Sequence, residues 1–177
     1  MWYLAFISFL LLGGYLLLMA LRFGIPNMVS DTYYQLQGCT GSEIVPFREP
    51  RNMGWIFSLL MVTVSFLMLV CLLDTGRGIQ FLAFLGCAGL CFVGCAPNYC
   101  DHDAYSVHKT AAIIAAVGSI GWCLSVSILP TIVILTAYLS YVYQSRRVKT
   151  RHPWYWLEIA WFADVLITYL FMEISII

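Results

Sequence analysis

The chain has 177 residues, of which 62% are hydrophobic and only 10% charged, with a mean hydropathy of +0.85. Soluble domains carry about a quarter of their residues as charges, so a water-soluble single domain is excluded; nine basic residues balancing nine acidic ones likewise remove the case for a nucleic-acid surface. At about 20 apolar residues per bilayer crossing, the length accommodates roughly six helical spans and leaves no room for a separate soluble domain.

In chain order, the first apolar segment runs from Trp2 to Arg22 and stops before Gly24 and Pro26, both helix-ending residues. It has neither the basic leading region nor the small-residue cleavage pattern of a signal peptide, so it is expected to be retained. The one sizeable loop follows, Asn27 to Asn52. Segments Met53 to Leu73 and Ile79 to Cys95 are joined by the tight polar turn Asp74-Thr75-Gly76-Arg77-Gly78 and should form a hairpin. After a polar stretch come His108 to Ser127 and Leu129 to Ser145; the apolar run from Thr110 to Tyr143 that they share is broken only at Ser125, Ser127 and Pro130, which reads as a short re-entrant turn. Trp154 to Ile176 is the last segment. The expected fold is an all-α polytopic membrane protein, a bundle of six transmembrane helices with short loops forming one domain over residues 1–177.

Two of these segments share an unusual surface. Ala83, Cys87, Cys91 and Cys95 recur every four residues in the third, flanked by Gly86, Gly89 and Gly94, and the fourth carries Ala111, Ala112, Ala115, Ala116, Gly118 and Ser119. Small faces let helices approach closely in lipid, where packing drives association, so these two are expected to pack tightly. Most of the seven cysteines fall in such apolar runs and act as small packing residues.

With six spans, the first, third and fifth loops share one side, and both termini lie on the other. The odd loops and their flanks hold Arg22, Arg48, Arg51, Lys109, Arg146, Arg147, Lys149 and Arg151, against Arg77 alone on the opposite side. The positive-inside rule then predicts cytoplasmic odd loops with both termini outside. The same side receives His102, His108, His152 and the acids Asp31, Glu43, Glu49, Asp101 and Asp103.

Asp164 lies about ten residues into the last span, close to the bilayer midplane at 1.5 Å per residue. An acid at that depth costs about 2.5–3.5 kcal/mol on insertion scales, and no Lys or Arg falls at comparable depth in any span. It is therefore expected either to hydrogen-bond to Ser, Thr or Tyr of a neighbouring helix or to form a proton, ion or substrate site. Glu158 is six residues away and on a different face, so the two do not form a carboxylate dyad; it is expected to pair with Arg147, Arg151 or His152 at the interface.

The stretch from Cys95 to His108 is rich in metal-ligand side chains, but its C-x4-C and H-x5-H spacings match no strong zinc pattern. Asp101-His102-Asp103 reads equally as a solvated turn capping the fourth span. No metal or cofactor is called: both lysines, Lys109 and Lys149, lie at span ends, which removes a retinal Schiff base, and there is no nucleotide-phosphate loop. Nor is there a G-x-S-x-G elbow or other recognisable hydrolase nucleophile.

Pro26-Asn-Met-Val-Ser30-Asp31-Thr32 resembles the P-x-I-S-D-T-G stretch of the DRAM/Frag/Sfk family and related bacterial six-span families of unknown function, and His108 resembles the histidine that follows a polar loop there. Tyr33 stands where that family usually has glycine. The resemblance implies a six-helix bundle with Ser30, Asp31 and His108 clustered on one side, in a family linked to lipid-anchor remodelling or organelle membranes.

Three functions are open on these residues. The first is binding or handling of a membrane lipid or small amphipathic molecule in a polar cavity at one membrane face, with Ser30, Asp31, His102, His108 and Glu158 as candidates. The second is a proton- or cation-coupled carrier using Asp164, although no internal repeat is seen. The third is a non-catalytic subunit or scaffold whose partners are membrane lipids, a second copy or another membrane subunit.

Overall fold

The computed structural model describes residues 2–40, 43–46, 53–145 and 152–174. Its long elements are helices α1 (Trp2–Phe23), α3 (Trp55–Asp74), α4 (Gln80–Cys95), α5 (His102–Val126), α6 (Ile128–Ser145) and α7 (Pro153–Ile174). Between α1 and α3 lie a 3-10 turn (Val29–Asp31), the short helix α2 (Thr32–Gln37) and a small antiparallel ribbon, β1 (Cys39–Thr40) against β2 (Glu43–Pro46). Apart from that ribbon, where Thr40, Ile44 and Val45 favour extended backbone, the described fold is all-helical.

Five of the helices have the length and apolar composition to cross a membrane. Their outer surfaces are mostly apolar, with Leu18 and Leu21 of α1 and Val117 of α5 largely exposed. Such faces suit lipid and not water, and the chain is an integral membrane protein on this ground. The sixth, α4, has 16 residues, about 24 Å at 1.5 Å per residue, shorter than the roughly 30 Å of hydrocarbon in a bilayer.

Where both are described, helix ends lie within two residues of the ends of the apolar segments, except at α5, which begins at His102 and not His108. Asp101 takes the N-cap position with extended backbone, and its carbonyl accepts the Tyr105 N–H at 2.8 Å, so the polar residues before His108 form the first turns of the helix. The break between α5 and α6 is a single extended residue, Ser127. The end of α1 is set by Gly24, whose φ of +84° only glycine adopts freely and whose N–H closes on the Ala20 carbonyl at 3.0 Å.

Among the described residues, helices α4 and α5 pack most closely. A Cβ added at Gly89 would lie 2.7 Å from the Ala111 carbonyl oxygen, and one at Gly86 would lie 2.7 Å from Ser119 Oγ; backbone meets backbone because both surfaces are small. Neighbouring helices are pinned by buried hydroxyls, Ser65 of α3 donating to the Cys87 carbonyl of α4 and Ser8 of α1 to the Val64 carbonyl of α3. At the α3–α4 turn, Gly78 stands against Ser125 of α5, and the Trp122 indole donates to the Arg77 carbonyl at 3.2 Å.

Candidate functional site

After α1, the 3-10 turn and α2 fold back over one end of the bundle. Ser30 lies on its 3-10 turn, and its Oγ is 3.1 Å from Nε2 of His108, two turns into α5. The other ring nitrogen of His108, Nδ1, is 2.8 Å from the Ala96 carbonyl oxygen in the α4–α5 loop. A carbonyl only accepts, so Nδ1 carries the proton; in the neutral ring Nε2 then holds the lone pair and accepts the Ser30 hydroxyl. Ser30 and His108 are both buried.

Hydrogen bonds from both segments hold this pair. On the serine side, Asp31 accepts the Met28 N–H at 3.0 Å and the Tyr99 hydroxyl, while Thr32 donates to the Val29 carbonyl at 2.7 Å and accepts the Tyr15 hydroxyl at 2.8 Å. On the histidine side, Tyr34 donates to Asn98 Oδ1 and accepts the Cys100 N–H, fixing the loop that presents the Ala96 carbonyl. Tyr34, Tyr99 and His108 stack edge to face or tilted in series, with centroids 4.9 and 5.2 Å apart. Burial, and next the Asp31 carboxyl beside it, hold the Tyr99 hydroxyl well above the ordinary phenol range. Burial also pushes Tyr34 up.

Glu158 reaches this cluster from α7 and accepts the Val29 N–H at 2.5 Å. The carboxylate thus turns to the backbone of the turn that carries Ser30. Of the partners expected for it, His152 is 3.3 Å from Asn27 instead, and Arg147 and Arg151 lie outside the described residues, as do Arg48, Glu49, Arg51, Arg146 and Lys149.

Behind Ser30 and Glu158 opens a cavity of about 130 Å³ between α1, α3, α4, α5 and α7. Its walls are otherwise almost wholly apolar, Leu12, Met61, Met68, Leu90, Ala116 and Phe162 among them. Along α3 it is lined from Met61 to Leu72, which at 1.5 Å per residue is a depth of about 16 Å. An apolar space of this size is comparable to engineered cavities that stay dry and take up a small apolar molecule.

Two sequence candidates lie elsewhere. His102 is fully exposed at the start of α5, 3.5 Å from an equally exposed Asp103, and does not join Ser30, Asp31, His108 and Glu158. Asp164 is buried further along α7, with Thr168 Oγ1 at 3.5 Å and Thr131 and Cys123 beside its carboxyl. Cys95 and Cys100 are exposed, and among the described residues no three His, Cys, Asp or Glu side chains converge on a point where a metal would be held.

Sequence reasoning missed Ala96, Thr32, Tyr15, Tyr34 and Tyr99. A backbone carbonyl leaves no mark in a sequence, and tyrosines are common at membrane interfaces for unrelated reasons. The proximity of Tyr33-Tyr34 to Ser30-Asp31-Thr32 was the one available signal. No known protein family, curated protein or solved structure matches this chain.

Proposed function

We propose that the chain is a six-span membrane protein that binds a lipid or other small amphipathic molecule, its apolar part in the cavity and its polar end at Ser30 and Glu158. The observation that carries this is a deep, largely apolar chamber with the Glu158 carboxyl and Ser30 at one end, Ser119 being the other hydroxyl-bearing residue on its wall. An amphipathic ligand matches that division, because burying hydrocarbon is favourable while polar atoms need partners.

In this reading α4 is the short sixth span. It is linked by five residues to α3 and by six to α5 (75–79 and 96–101), and connections this short join antiparallel neighbours. The charge split supports placing the end that holds Ser30 and His108 at the cytoplasmic face, where basic loops would attract anionic headgroups. Of α6 only Pro130 is buried, so almost the whole helix is left to face lipid, a second copy or a partner subunit.

The test is lipid retention. Purified protein should carry lipid through extraction, as detected by mass spectrometry, and Ala116→Phe, which fills the chamber, should reduce retained lipid about tenfold, equivalent to about 1.4 kcal/mol. Equal lipid content in the filled variant and the wild type, both folded, would refute the proposal.

A further inference from the structure

We infer that Ser30 is a nucleophile with His108 as its general base, and that the bound molecule is a fatty-acyl ester which the pair cleaves. The inference rests on the cavity reading above and adds chemistry to it. Three observations point the same way. Ser30 lines the cavity, so a carbonyl carbon placed there lies beside this residue. Its partner nitrogen on His108, 3.1 Å away, is left as the acceptor by the Ala96 carbonyl on the other side of the ring. This is the arrangement of nucleophile, base and orienting group that activates a hydroxyl, with a backbone carbonyl in the orienting place.

Third, the hydrogen bonds around the pair fix its geometry by tying the Ser30 turn and the Ala96 loop to each other, Tyr99 to Asp31 and Tyr34 to Asn98 and Cys100. The turn bearing Ser30 is held through Asp31, Thr32 and Glu158, and the loop bearing Ala96 through Tyr34. A serine that merely satisfied a buried histidine would not need both, whereas preorganisation of a reacting pair does.

The reaction balances with water as the only co-reactant. Ser30 Oγ bonds to the ester carbonyl carbon as its proton passes to His108 Nε2. The carbon–oxygen bond to the alcohol then breaks, and the alcohol leaves with that proton, giving an acyl ester on Ser30. Water attacks the acyl carbon, again giving up its proton to His108 Nε2. The proton returns to Ser30 Oγ as the acyl–serine bond breaks, and a fatty acid is released.

The experiment uses full-length protein in detergent micelles and an alkyl fluorophosphonate, which forms a stable adduct with activated serines, located by tandem mass spectrometry. One adduct, on Ser30, is expected. His108→Asn should slow its formation about a hundredfold, the usual scale of general-base assistance, with an unchanged melting profile. In mixed detergent micelles containing phosphatidylethanolamine, wild type should release fatty acid and Ser30→Ala should not. Absence of a Ser30 adduct on folded wild-type protein overturns the inference without needing any variant, as does an adduct rate indifferent to His108→Asn. If lipid retention responds to Ala116→Phe but Ser30 is never labelled, the catalytic inference falls and the cavity reading stands. If Ser30 is labelled but no lipid is retained, the cavity reading falls.

Discussion

Glycine 118 offers a test of the packing that shapes the chamber. A Cβ there would lie 2.9 Å from the Gly86 Cα and 2.9 Å from the Leu82 carbonyl oxygen, both backbone atoms of α4, whereas a Cβ at Gly14 of α1 meets nothing within 4 Å. Replacing a helical glycine by alanine gains about 0.5–1 kcal/mol from reduced chain entropy, so Gly14→Ala should stabilise by about that amount. At position 118 the same gain is opposed by an overpacking cost of about 1–3 kcal/mol, because neither helix backbone can turn aside as a side chain would. The net expectation for Gly118→Ala is a loss of up to about 2.5 kcal/mol. Equilibrium unfolding in mixed SDS micelles, followed by circular dichroism, reads both variants against wild type. Gly86, Ala115, Ala116 and Ser119 of these two helices line the cavity, so Gly118→Ala should also alter retained lipid, while Gly14→Ala should not. A Gly118→Ala protein as stable as Gly14→Ala would refute the backbone-contact argument.

Two further outcomes follow from the buried polar groups. Between the ordinary phenol value of 10.0 and the raised folded value of Tyr99, the unfolded chain ionises and the folded one does not. The folded chain then binds more protons, and stability falls as pH rises above about 10. Tyr99→Phe should make that alkaline loss shallower while lowering stability near neutrality by about 1–3 kcal/mol, the cost of leaving a buried acceptor unpaired; an alkaline limb of unchanged steepness in denaturation scans would count against the assignment. At Asp164, exchange for asparagine keeps an acceptor for Thr168 and should change stability by less than about 1 kcal/mol, while Asp164→Ala loses the hydrogen bonds and leaves a void, at about 1–3 kcal/mol. Equal losses from the two variants would show that the ionised carboxylate itself is needed, as a cation carrier would require.

The helices were legible in the sequence because lipid imposes one rule on every exposed face, and a run of apolar residues between turn residues leaves few alternatives. Gly86, Gly89 and Gly118 foretold the α4–α5 approach for the same reason: in lipid a stripe of small side chains has little to offer except proximity. The start of α5 was less legible. Asp101, His102 and Asp103 look like a solvated loop by polarity, yet a helix emerging from the membrane can carry exposed polar residues on its first turns, as fully exposed His102 and Asp103 do. The ribbon of β1 and β2 left only a faint trace, since strands of two and four residues are too short to show an alternating pattern.

The site divides along a similar line. Ser30, Asp31 and His108 could be singled out because polar side chains flanking apolar spans are conspicuous, but their partnership depends on contacts between positions 78 residues apart. Glu158 shows why side-chain chemistry alone was insufficient: a carboxylate near basic loop residues invites an ion pair, and only the fold brings the Val29 N–H to it from 129 residues away. That one bond ties α7 to the turn carrying Ser30, and the same carboxylate lines the chamber. Whatever molecule occupies the chamber therefore meets a group that also positions the Ser30 turn, so occupancy and the Ser30–His108 geometry are coupled through a single side chain. Cavity shape, set by α4 and α5, and site geometry, set by loop and α7, are for this reason parts of one arrangement and should respond together when either is perturbed.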